Sequence, residues 1–332
     1  MSSKRPDIVI FMRKKRMGDN SIEEIFNTLT PLMGEQVTVK TLPHDSGSPI
    51  GFLKNLLFAW QNRGKVNHIA GEVHYLALVL PNCIVTFHDI GSICTGHSLK
   101  SAIRKWLWVS WPIIAAKKIT TISQATLNEI TEVNPSTDCK TTIVHNPIRN
   151  LSSHANDGHN NQKFIILHQG TKPHKNLERV IEAIEGIEVK LLILGPMTEA
   201  QKQLAESKHI DYKYFYDLTY DEVMKLYGES DIVSFPSLYE GFGMPVIEGQ
   251  MAMRPVVTSD IPVLHEVAGD GALFVNPNST EEIREAFQTL IDDQTLRAAL
   301  VRKGAENIRR FDPHTIAAKY QAIYNELLNK VK

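Results

Sequence analysis

Two consecutive α/β domains, each a doubly wound parallel sheet, are what this chain of 332 residues predicts. Three observations carry that prediction. Short β-branched runs alternate with segments of helical period. The runs are continuously apolar instead of alternating, the pattern of strands covered by helices on both faces. The alternation stops once, in mid-chain, and then restarts; the length also suits two domains of ordinary size.

In the first half the strands are read at "DIVIFM" (7–12), "QVTVKTL" (36–42), "VNHIA" (66–70), "CIVTFHD" (83–89), "KKITTIS" (117–123) and "TTIVHN" (141–146). Helical segments such as "SIEEIFNTLTPLM" and "QATLNEITEV" lie between them. The stretch "RNLSSHANDGHNNQK" (149–163) has no hydrophobic period and reads as a linker. The second half repeats the grammar with "KFIILHQG", "VKLLILG", "YKYFY", "DIVSFP", "PVVTSD" and "ALFVNP". A final segment, "HTIAAKYQAIYNELLNK", follows the helix-breaking "FDP" and has near-helical apolar spacing. The expected boundaries are a first domain over 1–150, a linker over 151–162, a second domain over 163–312 and a closing helix over 314–332 that returns to the first domain.

Composition narrows the class. The chain is 42% hydrophobic and 22% charged with a formal net charge of −1, which suits a soluble globular protein and gives no global field for nucleic acid. The charge is uneven. Residues 1–155 hold 17 Lys and Arg against 11 Asp and Glu, and the remainder holds 19 against 26. A basic half joined to an acidic one suits a first domain that meets an anionic partner or surface. Cys83, Cys94 and Cys139 show no metal-ligand spacing, and reduced cysteines in a cytoplasmic protein are expected. "MSSKRPDIVIF" runs straight into a strand, so no signal peptide is read.

Two segments carry the chemistry. In "ILHQGTKPHKNLERVIEAI" (166–184) a strand ends at Gly170 and a loop with Thr171, Lys172 and Lys175 leads to a helix that Asn176 could cap. Two cations beside the positive end of a helix repel it unless an anion joins them. The plain alternative is a pair of solvated loop lysines. In "YEGFGMPVIE" (239–248), Gly241 and Gly243 permit backbone conformations and close approaches closed to other residues. Pro245 suits the first turn of a helix, and Glu248 falls within that turn's reach. A helix-dipole role for Glu248 explains neither Glu240 nor the paired glycines. A hydrolytic couple of Glu240 and Glu248 has no independent support.

These residues resemble the donor-domain signature of retaining GT-B glycosyltransferases, family 4, of the bacterial surface-polysaccharide type. The stretch is "SFPSLYEGFGMPVIEGQMAMRPVVTSDIPVLHEVAGDGALFVNP". "GTKPHKNLER" is similar to that family's phosphate-binding loop, while "VTFHD" and "TISQAT" are similar to strand ends of its acceptor domain. The resemblance implies two Rossmann-like domains facing a cleft, the first for acceptor and the second for a nucleotide sugar. It assigns Glu248 to the ribose hydroxyls, Glu240 to the transferred sugar and Lys175 to the diphosphate. Gly170 belongs to that loop, and Phe242, Gly243 and Met244 would turn backbone N–H groups to sugar and phosphate. Thr171 stands where many members carry an arginine, with Lys172 as the substitute cation. His88, after strand "CIVTF", would face sugar and acceptor, and Gly18 would lie in the first strand-to-helix loop near them.

The function implied is transfer of a sugar from a UDP- or GDP-linked donor to a glycan or lipid-linked acceptor, with retention, in cell-surface polysaccharide synthesis. The enzyme class is a retaining hexosyltransferase. Lysines in the role of a cation imply that no metal and no cofactor are needed. The alternative is a non-catalytic sugar-nucleotide-binding module. Absence of G-x-G-x-x-G after the first strand argues against a dinucleotide dehydrogenase. Trp106, Trp108 and Trp111, flanked by Lys100, Arg104, Lys105, Lys117 and Lys118, suit a membrane interface at the inner face of the membrane. Their spacing does not hold all three on one helical face, so core packing is the competing account.

Overall fold

The computed structural model describes residues 6–14, 21–91, 98–149 and 163–331. The chain divides into two compact units, the first made of Met1–Arg149 with Phe311–Lys332 and the second of Asn150–Arg310. The linker expected over 151–162 lies outside the described residues.

Unit 1 is a six-stranded parallel sheet. Its strands are β1 (Ile8–Met12), β2 (Val37–Thr41), β3 (Val66–Ile69), β4 (Cys83–Phe87), β5 (Lys118–Thr121) and β6 (Thr141–Ile143), in the order β2-β1-β3-β4-β5-β6. All five β1 residues are buried, and the strand period of two divides them between two cores. Val9 and Phe11 join Tyr75, Leu76 and Val109 on one face. Ile8, Ile10 and Met12 join Ile22, Phe26, Ile316 and Tyr320 on the other. Cys83 is buried and Cys139 exposed, both as free thiols.

The C-terminal helix Pro313–Val331 belongs to this unit. Ile316, Ala317, Tyr320, Ile323, Tyr324 and Leu327 form its buried stripe. A polar thread fixes its register within that apolar contact. His68 on β3 joins the Tyr324 hydroxyl through Nδ1 at 2.7 Å and the Thr86 hydroxyl through Nε2 at 2.7 Å. Burial lowers the His68 pKa to about 3, so the ring is neutral near pH 7.

Unit 2 has the strands β7 (Phe164–Gln169), β8 (Val189–Leu194), β9 (Asp211–Phe215), β10 (Ile232–Phe235), β11 (Val256–Ser259) and β12 (Leu273–Val275). Their order is β12-β11-β10-β7-β8-β9, all parallel. Two helices open on complete capping boxes, Thr198 with Gln201 and Thr219 with Glu222. In each sheet the chain reverses its direction of winding beside the first strand, between β1 and β3 in unit 1 and between β7 and β10 in unit 2. Loops at the carboxyl ends of those strands splay apart, which is where open α/β sheets bind ligands.

Candidate active site

The loops after β7 and β10 bring most of the expected unit 2 residues together. Gly170 has φ +96°, and a Cβ there would come within 2.6 Å of Lys175 Cγ, so the glycine both permits the turn and makes room for the lysine stem. The chain then makes a tight turn at Pro173–Lys175 before the helix Leu177–Ala183. Asn176 stands at the start of this helix without capping it by its side chain, which corrects the expectation. It takes a left-handed conformation, and its amide donates to the carbonyls of Pro236 at 2.9 Å and Pro277 at 2.7 Å. Its side-chain oxygen, the atom a cap would use, instead accepts from Arg179 Nη1 at 2.7 Å. The Leu238 N–H donates to the His174 carbonyl at 2.8 Å and ties the same two loops again.

Lys175 Nζ lies 2.6 Å from Glu240 Oε1, with side chains 19% and 12% exposed, and 4.7 Å from the centre of the Phe235 ring. The sequence reading set two unbalanced cations at this loop. The structure instead gives Lys175 an acidic partner 65 residues away, while Lys172 is exposed at the entrance to the turn. Thr171 spends its hydroxyl on the Pro196 carbonyl at 2.7 Å, and its own carbonyl accepts from Gln201 at 2.8 Å. Below them His168 is fully buried, with Nδ1 3.2 Å from the Ser234 hydroxyl. Burial and then the Lys175 charge lower its pKa to about 3, so a neutral ring lies beneath the lysine.

Gly243 begins the helix Met244–Met251 with φ +106°, and a Cβ there would meet Leu264 Cδ2 at 2.5 Å. Phe242 is buried and Met244 half-buried on either side of it. In the first turn Pro245 has no N–H to satisfy, and the Val246 N–H donates to the Gly243 carbonyl at 3.0 Å. Glu248 is buried one turn later and accepts a hydrogen bond from the Tyr227 hydroxyl at 3.0 Å. Tyr227 also bonds Gln169 at the end of β7. Burial, then the Glu248 carboxylate, pushes the phenol well above its ordinary pKa, so it remains a donor. Gln169, Tyr227 and His168 were not singled out in the sequence. "HQG" at the strand end was the available signal for two of them, and nothing local marks Tyr227.

The corresponding loops of unit 1 line a cavity of about 800 Å³. Gly18 lies outside the described residues. Arg13, not anticipated, is buried in the wall, its Nε 2.8 Å from Glu23 and Nη1 2.6 Å from Glu72. His88 also lines the cavity, with Nε2 3.0 Å from the Ala70 carbonyl. A carbonyl only accepts, so Nε2 carries the proton and Nδ1 the lone pair. Burial lowers the His88 pKa and keeps the ring neutral. Trp108 and Trp111 are half-buried and donate to the carbonyls of Glu72 at 3.0 Å and Ala77 at 3.3 Å; Trp106 is exposed. Packing therefore accounts for two of the three tryptophans.

Among its described residues unit 1 thus buries three neutral histidines, His68, His74 and His88. Burial lowers His74 to about 4. Between the ordinary value near 6.5 and these folded values, the unfolded chain binds protons that the native state refuses, so stability falls as pH falls. Each fully resisting histidine costs about 1.4 kcal/mol per pH unit in that window. From pH 7.5 to 5 the melting temperature should drop on the order of 10 °C. A calorimetric series giving a flat or rising Tm toward pH 5 would refute this.

Residues 151–307 match the family model for glycosyl transferases group 1. The O-antigen chain mannosyltransferase RfbU of Salmonella typhimurium is 25% identical over 224 residues, covering 65% of this chain and 63% of the relative. The O-antigen chain mannosyltransferase B of Escherichia coli is 26% identical over 291 residues, covering 76% of this chain and 73% of the relative. The chain therefore spans less than two thirds of the first of these relatives. Among solved structures, Anabaena Alr3699/HepE in complex with UDP superposes with a TM-score of 0.76 at 16% identity, covering 96% of this chain and 100% of that one.

Proposed function

We propose, from the premise that this chain is a GT-B glycosyltransferase with a group 1 second unit, that it moves a hexose from a UDP- or GDP-linked donor to a glycan or lipid-linked acceptor. The names of its relatives make mannose the first sugar to test and surface polysaccharide the product class. Unit 2 holds the donor. Glu248 accepts from the ribose hydroxyls, a vicinal diol that one carboxylate can grip with two charge-assisted hydrogen bonds. Lys175, with Lys172 as the outer cation, takes the diphosphate. Gly170, Thr171 and the N–H groups of Phe242, Gly243 and Met244 line the phosphate and sugar. Glu240 orients the sugar and, through its ion pair, the lysine.

Negative charge grows on the diphosphate as the glycosidic bond breaks, and Lys175 stabilises it without a metal ion. Transfer proceeds with retention by same-face attack. The acceptor oxygen bonds to the anomeric carbon as the diphosphate leaves, and a diphosphate oxygen takes the acceptor proton. His88 in unit 1 offers the Nδ1 lone pair to a hydroxyl of the acceptor. With a lipid-linked acceptor, transfer takes place at the cytoplasmic face of the membrane.

The observation that carries this reading is the Lys175–Glu240 pair at the β7/β10 switch point, in one loop cluster with Gly243 and near the start of the helix that bears Glu248. The test is a panel of UDP- and GDP-hexoses with lipid-linked glycan acceptors, read by product mass and anomeric configuration. One donor should give, in EDTA, a product that keeps the donor's anomeric configuration. Inverted product or strict dependence on added metal refutes those parts, and donor binding without transfer to any acceptor favours the non-catalytic module.

A further inference from the structure

Unit 1 carries exposed apolar surface that the cavity does not use. On the helix Pro49–Gln61, Gly51, Asn55 and Ala59 face inward. Ile50, Leu53, Leu57 and Trp60 face outward at spacings of three, four and three, each 46% to 68% exposed. These four make one continuous stripe on a surface helix. The helix Leu99–Lys105 and the turn after it show a second stripe, Leu99, Ile103 and Trp106, 48% to 78% exposed. The first helix packs toward the turn that follows the second: Phe52 stacks on Tyr75 with ring centres 4.5 Å apart and lies 6.3 Å from Trp108. Soluble chains rarely leave adjoining stripes of this kind uncovered.

Charge identifies what covers them. No Asp or Glu occurs from Ser46 to Gly71 or from Ile90 to Asn128. Those segments bear Lys54, Lys100, Arg104 and Lys105, all exposed, and the Arg63 guanidinium lies 3.5 Å over the Trp60 ring. A second copy of the chain docked here through the same face would set cation against cation with no acid in either segment to offset them. An anionic lipid surface meets both features, since apolar side chains enter the headgroup boundary while lysine and arginine stay with the phosphates. Among the described residues no helix is long and apolar enough to cross a membrane, so contact would be from one side.

We infer that unit 1 docks on an anionic bilayer surface through the outward faces of Pro49–Gln61 and Leu99–Trp106. Lys100, Ile103 and Arg104 also line the unit 1 cavity, so the face that meets lipid is one wall of a cavity in the unit that the resemblance gives to the acceptor. The inference deepens the reading of a membrane-linked acceptor and rests on it for its biological sense.

Vesicle flotation without sugar nucleotide tests it, comparing phosphatidylcholine with mixtures containing phosphatidylglycerol. Binding should appear with the anionic vesicles and weaken with salt. The pair Leu53→Asp and Leu57→Asp should reduce it about tenfold or more. Lys54→Glu with Lys105→Glu should reduce it on anionic vesicles alone. All four side chains are exposed, so circular dichroism and Tm should stay as in the wild type. No vesicle binding, or binding that ignores Leu53→Asp/Leu57→Asp, overturns the inference. Equal binding to neutral vesicles overturns its electrostatic part. A concentration-dependent dimer that Leu53→Asp/Leu57→Asp abolishes, with no vesicle binding, makes the face a contact between copies and also overturns it. A chain that transfers sugar to a soluble acceptor yet ignores vesicles refutes docking alone. One that floats with vesicles yet transfers no sugar refutes the function alone.

Discussion

Lys175→Ala should lower kcat/KM for sugar transfer by about 10²–10³-fold, with most of the loss in kcat. The lysine meets charge that is larger on the departing diphosphate than on the bound donor, so its contribution grows toward the transition state. A second effect accompanies the first. Removing the ammonium leaves Glu240 Oε1 without a partner that now lies 2.6 Å away, in a side chain only 12% exposed. An unpaired carboxylate there would repel the donor phosphates and weaken binding as well. Lys175→Ala combined with Glu240→Gln separates the two. Donor affinity should recover in part while kcat remains low. Lys175→Arg should rescue poorly, because the lysine stem is packed over Gly170 and its cation over Phe235. Steady-state kinetics of the four proteins decide the matter. A loss below about tenfold in Lys175→Ala, or full recovery of kcat in the double variant, would remove the lysine from leaving-group stabilisation.

The strands were legible because their runs are continuously apolar, and burial of all five residues of β1 shows why such runs need helices on both faces. "YEGFGMPVIE" was legible as a site because Gly243 sits at φ +106° against Leu264, a constraint strong enough to leave a mark on the residues themselves. Pairings set by topology left no such mark. Lys175 and Glu240 are 65 residues apart, and Arg13 and Glu72 are 59 apart. Asn176 has the composition of an N-cap, yet carbonyls 60 and 101 residues away take its NH2 group and Arg179 donates to its oxygen. The tryptophans could not be phased from an α-helical period because Trp106–Ser110 forms a π-helical turn, which shifts the faces that follow. The outward stripe of Pro49–Gln61 has the spacing of a core-facing helix, and only exposure distinguishes the two.

Glu248→Ala should raise the donor dissociation constant by about 30–100-fold, roughly 2–2.7 kcal/mol, while kcat at saturating donor changes little. Ribose keeps its position and charge while the glycosidic bond breaks, so the carboxylate grips ground and transition states alike. That split, in KM against kcat, is the reverse of the one expected for Lys175. The carboxylate is also held in place. Tyr227, fully buried, reaches one of its oxygens at 3.0 Å, and the phenol stays protonated because burial and the carboxylate both oppose its ionisation. Tyr227→Phe keeps the ring and removes that bond together with the one to Gln169. It should raise donor KM by about 3–10-fold with kcat preserved, a smaller loss of the same kind, since a carboxylate freed to rotate still carries its charge. Combined with Glu248→Ala, the tyrosine change should add almost nothing, because its route to the ribose runs through Glu248. Calorimetric titration with the donor found in the hexose panel measures all three. An unchanged affinity in Glu248→Ala would take the ribose away from this carboxylate, and full additivity in the double variant would make Tyr227 a packing residue with no part in positioning it.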